Sequence, residues 1–202
     1  MGGKRCHTLD ESQCIIPQFG SGPFTNSSGS GHFSVAEYRD LLSFAKKHFI
    51  TVVPEIDMPG HSHSAVASME YRYRKYKALG NMTAANEYRL VDPEDTSFYK
   101  SIQNWRDNAI NPCIESTYNF ISKLMDTLKD LHKDIQPLIY HFGGDEVSPD
   151  AWQASPSCDV FLANHPEFNI SHGNFFHKYE TKRIYNYYII IHGSFCYLNN
   201  NF

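Results

Sequence analysis

The sequence predicts an α/β protein whose parallel strands are joined by crossover helices, on three observations. Residues 50–56 and 138–142 are β-branched and aromatic runs of strand length. Helical periodicity precedes each of them, over residues 34–48 and from residue 111 to residue 131. Both strand runs end in polar groups, with Asp57, His61 and His63 after the first and Asp145 and Glu146 after the second. The carboxyl ends of buried strands are where α/β folds hold their chemistry.

Composition bounds the possibilities. The 202 residues, 41% hydrophobic and 14% aromatic, suffice for one domain with a real core. A net charge of -4 offers no basic field for nucleic acid or anionic lipid, so neither partner is expected. Residues 1–7 contain Lys4 and Arg5 with no apolar run behind them, which does not read as a signal peptide. The longest late apolar run, residues 187–191, is far short of the ~20 residues a membrane-spanning helix needs. There are five cysteines and no C-x-x-C pair, so a thiolate zinc site or redox motif is not expected. A Cys6–Cys14 bridge stapling a short loop is favoured over two buried thiols. Three asparagine-linked glycosylation patterns begin at Asn26, Asn81 and Asn169, and patterns so short recur by chance.

Taken in order, residues 1–33 read as a loop rich in glycine and serine. Ser34 with Glu37 forms a capping box, and Val35, Tyr38, Leu41, Leu42, Ala45 and Phe49 recur at helical spacing. After the first strand, residues 64–79 read as a helix closed by Gly80, with residues 71–75 on a solvated face and His63 exposed. Residues 83–101 read as irregular, with a turn at Asp92-Pro93. Asn111 caps a helix with Pro112 at its first position, and Ile114, Tyr118, Ile121, Leu124, Leu128 and Leu131 form its buried stripe. The second strand then runs into Gly143, Gly144, Asp145 and Glu146. Side chains alternate faces along a pleated strand, so these neighbouring acids reach one ligand only where the backbone leaves the pleat. The two glycines permit that departure. On spacing alone, a solvated acidic turn fits equally well.

The stretches His141-Phe142-Gly143-Gly144-Asp145-Glu146 and Pro54-Glu55-Ile56-Asp57-Met58-Pro59-Gly60-His61 together resemble glycoside hydrolase family 20, the β-N-acetylhexosaminidases. Residues 3–7, 90–96 and 111–113 resemble its chitobiase-like branch. The resemblance implies a (β/α)8 TIM barrel and removal of terminal β-linked N-acetylglucosamine or N-acetylgalactosamine with retention of configuration, no cofactor being needed. It implies that Glu146 is the general acid and later the base. Asp145 would hold the 2-acetamido N–H, aim its carbonyl at the anomeric carbon and offset charge on the oxazolinium-like intermediate. His61 would orient Glu146, with Asp57 either helping there or capping the next helix, and Glu55 and His141 supporting the site. It further implies Cys113–Cys158 and Cys6–Cys14 disulfides, an N-acetylhexosamine-terminated glycan as partner, a dimer in full-length members, and a lysosomal or secreted location.

A complete barrel has ~250 residues and eight strands. Only two strand-helix units are legible here, about strands 3–4, so an incomplete barrel over residues 1–164 and a divergent tail over 165–202 are expected. The first-strand arginine, pocket tryptophans and clamping tyrosine that the resemblance implies are missing. Two rival readings remain: a sugar-binding remnant without catalysis, and a metal-dependent hydrolase using the His61 and His63 pair with His141 and Asp145. Chelator sensitivity separates the second from the rest.

Overall fold

A capping box starts the first helix: the Ser34 hydroxyl accepts the Glu37 N–H at 3.2 Å, and the Glu37 carboxylate accepts the Ser34 N–H at 2.7 Å. The computed structural model describes residues 33–101, 104–106, 109–136, 139–148 and 150–166, with the backbone of 189–191. The first helix, α1, spans Val35–Lys47 and buries Leu42 and Ala45. It lies against α4 (Glu115–His132), where the Tyr38 hydroxyl meets His132 Nε2 at 3.0 Å. Arg39 donates to the carbonyls of Asp130 and Leu131 at 2.9 and 3.3 Å, satisfying acceptors that the end of α4 leaves open.

The expected strand over residues 50–56 is reduced to one parallel bridge, Glu55 opposite His141. Its hydrogen bonds run from His141 N–H to the Pro54 carbonyl at 3.0 Å and from Ile56 N–H to the His141 carbonyl at 3.2 Å. Pro54 shows why the ladder stops. It has no N–H to donate, so pairing cannot extend towards residue 52, and the Val52 N–H turns instead to the Gln136 side chain at 3.3 Å. On the other side of β1 (Ile139–His141) lies β2 (Ile189–Ile191), parallel and in register from Ile139 opposite Ile189 to His141 opposite Ile191. Part of the expected tail therefore stands beside the central strand, and the remaining residues of 165–202 past Pro166 lie outside the described residues.

Helix α2 (His63–Ala78) and the short α3 (Met82–Asn86) correct two expectations. Residues 83–101 were expected to be irregular, yet Asn81 caps α3 by accepting the Ala84 N–H at 3.0 Å. Because α3 folds back on α2, residues 71–75 are not simply a solvated face. Arg72 lies 4.7 and 4.8 Å from the Tyr76 and Tyr88 rings while bound to Glu87 at 2.6 Å. Arg89 grips Glu70 at 2.9 and 3.2 Å from 3.9 Å above the Tyr73 ring.

Nor does α4 begin at Asn111. The Asn111 side chain accepts the Cys113 N–H at 2.8 Å and donates to Ser155 at 3.0 Å, and the helix starts after Ile114. The side-chain oxygen is spent locally on Cys113, two residues on, and only the nitrogen goes to a tertiary partner. The core is formed by Met58, Val66, Leu90, Ile110, Tyr118, Ile121, Met125, Tyr140 and Phe142 beneath α4 and β1. A smaller cluster joins Ala109, Ala151, Trp152 and Cys158, with Val147 packed against it. Among the described residues no helix is long and apolar enough to cross a membrane.

Between the clusters sits Asp92, 8% exposed. Burial alone would raise its pKa. The N–H groups of Ser157 and Glu94 and the hydroxyls of Ser155 and Ser157 outweigh that and hold it at about 2. A depressed carboxylate stabilises the fold above its unfolded pKa and loses that contribution as pH falls through its folded value. Urea unfolding is expected to show roughly 2 kcal/mol lost as pH drops from about 5 towards 2. Asp92→Asn should start lower and flatten that dependence. An unchanged pH profile in the variant would remove Asp92 as the cause.

Candidate active site

The site is the turn that follows β1. Gly143 and Gly144 have φ of +71° and +109°, and Glu146 itself has φ of +48°. This sequence of left-handed residues takes the backbone out of the pleat, so Asp145 and Glu146 escape strand alternation. Non-glycine residues in that region carry strain that surrounding contacts must hold, and such residues cluster at functional sites. His61, on the facing loop, has φ of +50°.

Asp57 supplies the restraint. Its Oδ1 accepts the N–H of Gly144 at 2.6 Å and lies 3.4 Å from the N–H of Asp145. It does not cap α2, whose N-cap is Ser62, so that alternative is corrected. Burial raises the Asp57 pKa, partly offset by the Gly144 N–H, His61 and the Asp145 N–H. From the same strand end, His61 Nε2 stands 3.3 Å from Glu146 Oε2 and 3.9 Å from Asp57 Oδ2. One imidazole nitrogen therefore faces two carboxylates. The Glu146 side chain is 30% exposed and Asp145 is fully on the surface side, so both are open to a solute.

His141 is placed elsewhere. Its Nδ1 meets Glu55 Oε2 at 2.7 Å, across the bridge that joins the two extended segments. The Gly143 N–H also donates to Nδ1, at 3.2 Å. Glu55 and His141 thus tie the platform together beneath the acids. His63 was expected to be exposed and is instead 6% exposed, its ring stacked on Trp105 with centroids 4.0 Å apart. The first residue of α2 faces inward while His61 reaches Glu146, so the two histidines do not present one ligand pair. Among the described residues no group of three histidine, cysteine or carboxylate side chains is arranged to hold a metal.

Cys113 and Cys158 form a disulfide with Cα atoms 5.0 Å apart. Cys6, Cys14 and Cys196 lie outside the described residues. Two contributors escape sequence reasoning: Trp105, met by His63 only in three dimensions, and Val147, which anchors the residue after Glu146 to the disulfide cluster. Gly143 is a third. A Cβ there would come within 2.9 Å of Asp57 Cα and collide with its carboxylate. Gly143→Ala should therefore cost about 1–3 kcal/mol in chemical denaturation. A stability matching the parent would show that the Asp57 contact is dispensable.

Comparison with known proteins identifies the family. The family description "Glycosyl hydrolase family 20, catalytic domain" matches residues 1–188. The chain is 43% identical over 187 residues to the β-hexosaminidase of Vibrio vulnificus, covering 91% of this chain and 22% of that protein. It is 46% identical over 150 residues to the N,N'-diacetylchitobiase of Vibrio harveyi, covering 73% and 17%. Among solved structures it resembles an inactive variant of the GH20 exo-β-N-acetylglucosaminidase of Vibrio harveyi, with a TM-score of 0.67 and 26% identity over 91% of this chain and 25% of that one. The same enzyme in complex with N-acetylglucosamine gives 0.58 and 31%, over 80% and 21%. The chain spans about a quarter of these relatives or less. Two motifs, a parallel pair of strand ends holding adjacent acids, and a match over residues 1–188 place one conclusion on firm ground: the chain belongs to glycosyl hydrolase family 20.

Proposed function

We infer that this chain is the section of an exo-β-N-acetylhexosaminidase barrel, about strands 3–4, that carries the proton-transfer and acetamido-steering acids. The reaction is hydrolysis of terminal non-reducing β-linked N-acetylglucosamine or N-acetylgalactosamine with retention. The observation that carries this reading is the contact between His61 Nε2 and Glu146 Oε2 at 3.3 Å on a turn fixed by Asp57. Glu146 donates its proton to the glycosidic oxygen as the acetamido carbonyl of the substrate attacks the anomeric carbon. Asp145 accepts the acetamido N–H and offsets positive charge on the oxazolinium-like ring. Water then opens that ring, Glu146 taking its proton. His61 can hold the carboxyl of Glu146 in position through both steps.

The chain alone should turn over little or nothing. Val53 and Glu55 direct their backbone groups to the edge away from β1, and no described residue hydrogen-bonds them there. Just before that edge in the chain, Phe44, Phe49 and Ile50 are 62%, 100% and 57% exposed, and Val53 within it 41%. An unpaired edge beside an uncovered apolar surface is where further strands and helices of a barrel would pack. Without them water reaches the acids and preorganisation is lost. An assay of the purified chain on an aryl N-acetylglucosaminide tests both halves. Turnover abolished by Glu146→Gln would overturn the claim of inactivity. In a chain completed with the remaining barrel, hydrolysis of plain glucosides as fast as N-acetylated ones would overturn the mechanism.

A further inference from the structure

We propose that Asn81 is an acceptor for asparagine-linked glycosylation, at the exposed corner between α2 and α3. The corner reads Asn81-Met82-Thr83, an Asn-X-Thr pattern whose middle residue is not proline. Its placement lifts it above chance occurrence. All three residues are exposed. Asn81 Oδ1 accepts the Ala84 N–H at 3.0 Å, which fixes the orientation of the amide. Its Nδ2, the atom that carries the sugar, donates to no described residue. Substitution at Nδ2 leaves Oδ1 free to accept, so the modified residue keeps its bond to α3. The fold loses no hydrogen bond on modification.

Two further observations support it. The 16 residues of α2 separate this corner from the His61 end by about 24 Å, so a glycan there stands clear of Asp145 and Glu146. The Cys113–Cys158 disulfide belongs to an oxidising compartment, which in a secretory pathway is also where asparagine-linked glycans are attached. In the transfer, Nδ2 bonds to the anomeric carbon of an oligosaccharide carried as a lipid-linked pyrophosphate. The bond from that carbon to the pyrophosphate oxygen breaks with its electron pair, and Nδ2 gives up a proton. No oxidant is involved, and the inference is independent of the reading of the acid pair.

The test translates the full chain behind a cleavable secretion signal with endoplasmic reticulum microsomes. Protease-protected chains are treated with peptide N-glycosidase, which converts a glycosylated asparagine to aspartate, and the peptide holding residues 81–83 is read by mass spectrometry. Aspartate at position 81 is expected. It should vanish in Thr83→Ala and persist when Asn26 and Asn169 are both changed to glutamine. Unconverted Asn81 in protected chains would overturn the proposal. A second readout addresses placement: the glycosylated chain should unfold at the same denaturant concentration as the unmodified one, whereas Asn81→Ala, lacking the acceptor, unfolds earlier. A glycosylated chain that unfolds as early as Asn81→Ala would overturn the argument from the cap.

Discussion

Glu146→Gln, in a chain completed with the rest of a family 20 barrel, is expected to lower turnover of an alkyl N-acetylglucosaminide by about a hundredfold to ten-thousandfold if Glu146 is the proposed acid. The reason is the leaving group. An alkoxide cannot depart unprotonated at neutral pH, so the proton from Glu146 is needed as the glycosidic bond breaks. A nitrophenolate leaves without help, and on that substrate the first step should lose far less. The diagnostic result is the difference between the two substrates. Asp145→Asn should behave otherwise, reducing both substrates together, because neighbouring-group attack has to displace either leaving group as the glycosidic bond breaks. His61→Ala should fall between them, since His61 meets Glu146 at 3.3 Å but touches no reacting atom. If Glu146→Gln slowed both substrates equally, Glu146 would have some other task.

Removing the Cys113–Cys158 bridge should have the largest effect on stability. The two cysteines are 45 residues apart, and the closed loop contains α4, β1 and both acids. A loop of that length gives about 4 kcal/mol by chain entropy. With a urea dependence of about 2 kcal/mol per molar, the midpoint of a Cys113→Ser, Cys158→Ser double variant should fall by roughly 2 M. Cys158 is fully buried beside Ala151 and Trp152, and Val147 packs on the same cluster. The loss should therefore reach the turn at Glu146 before the rest of the core. Hydrogen exchange at residues 144–148 should rise under reducing conditions while α4 stays protected. A midpoint unmoved by reductant would mean that the bridge contributes nothing to the folded state.

Helix positions were legible where local chemistry decides them. The Ser34 and Glu37 capping box and the stripe through Tyr118, Ile121 and Leu128 needed no tertiary partner to be seen. The acid pair was singled out through the family resemblance, since two glycines before two carboxylates only permit a break in the pleat and a solvated acidic turn fitted the spacing equally well. Where sequence reasoning failed, a distant residue had claimed the group in question. Asn111 donates its side-chain nitrogen to Ser155, 44 residues on, while its oxygen accepts the Cys113 N–H, and α4 starts only after Ile114. His63 finds the Trp105 ring and is buried. The strand before Asp57 is short because Pro54 has no N–H for a neighbour whose position is set 84 or more residues later.

By itself, the sequence determined the family, the parallel βα character and which two acids stand after the second strand. Those follow from residue identity and short spacing, which survive without coordinates. Only the tertiary structure decided that Asp57 holds the turn through Gly144, that His63 turns inward onto Trp105 while His61 meets Glu146, and that Glu55 pairs with His141. Each of those joins strand ends more than 80 residues apart, or turns on which way neighbouring side chains point, and local spacing carries no information about either.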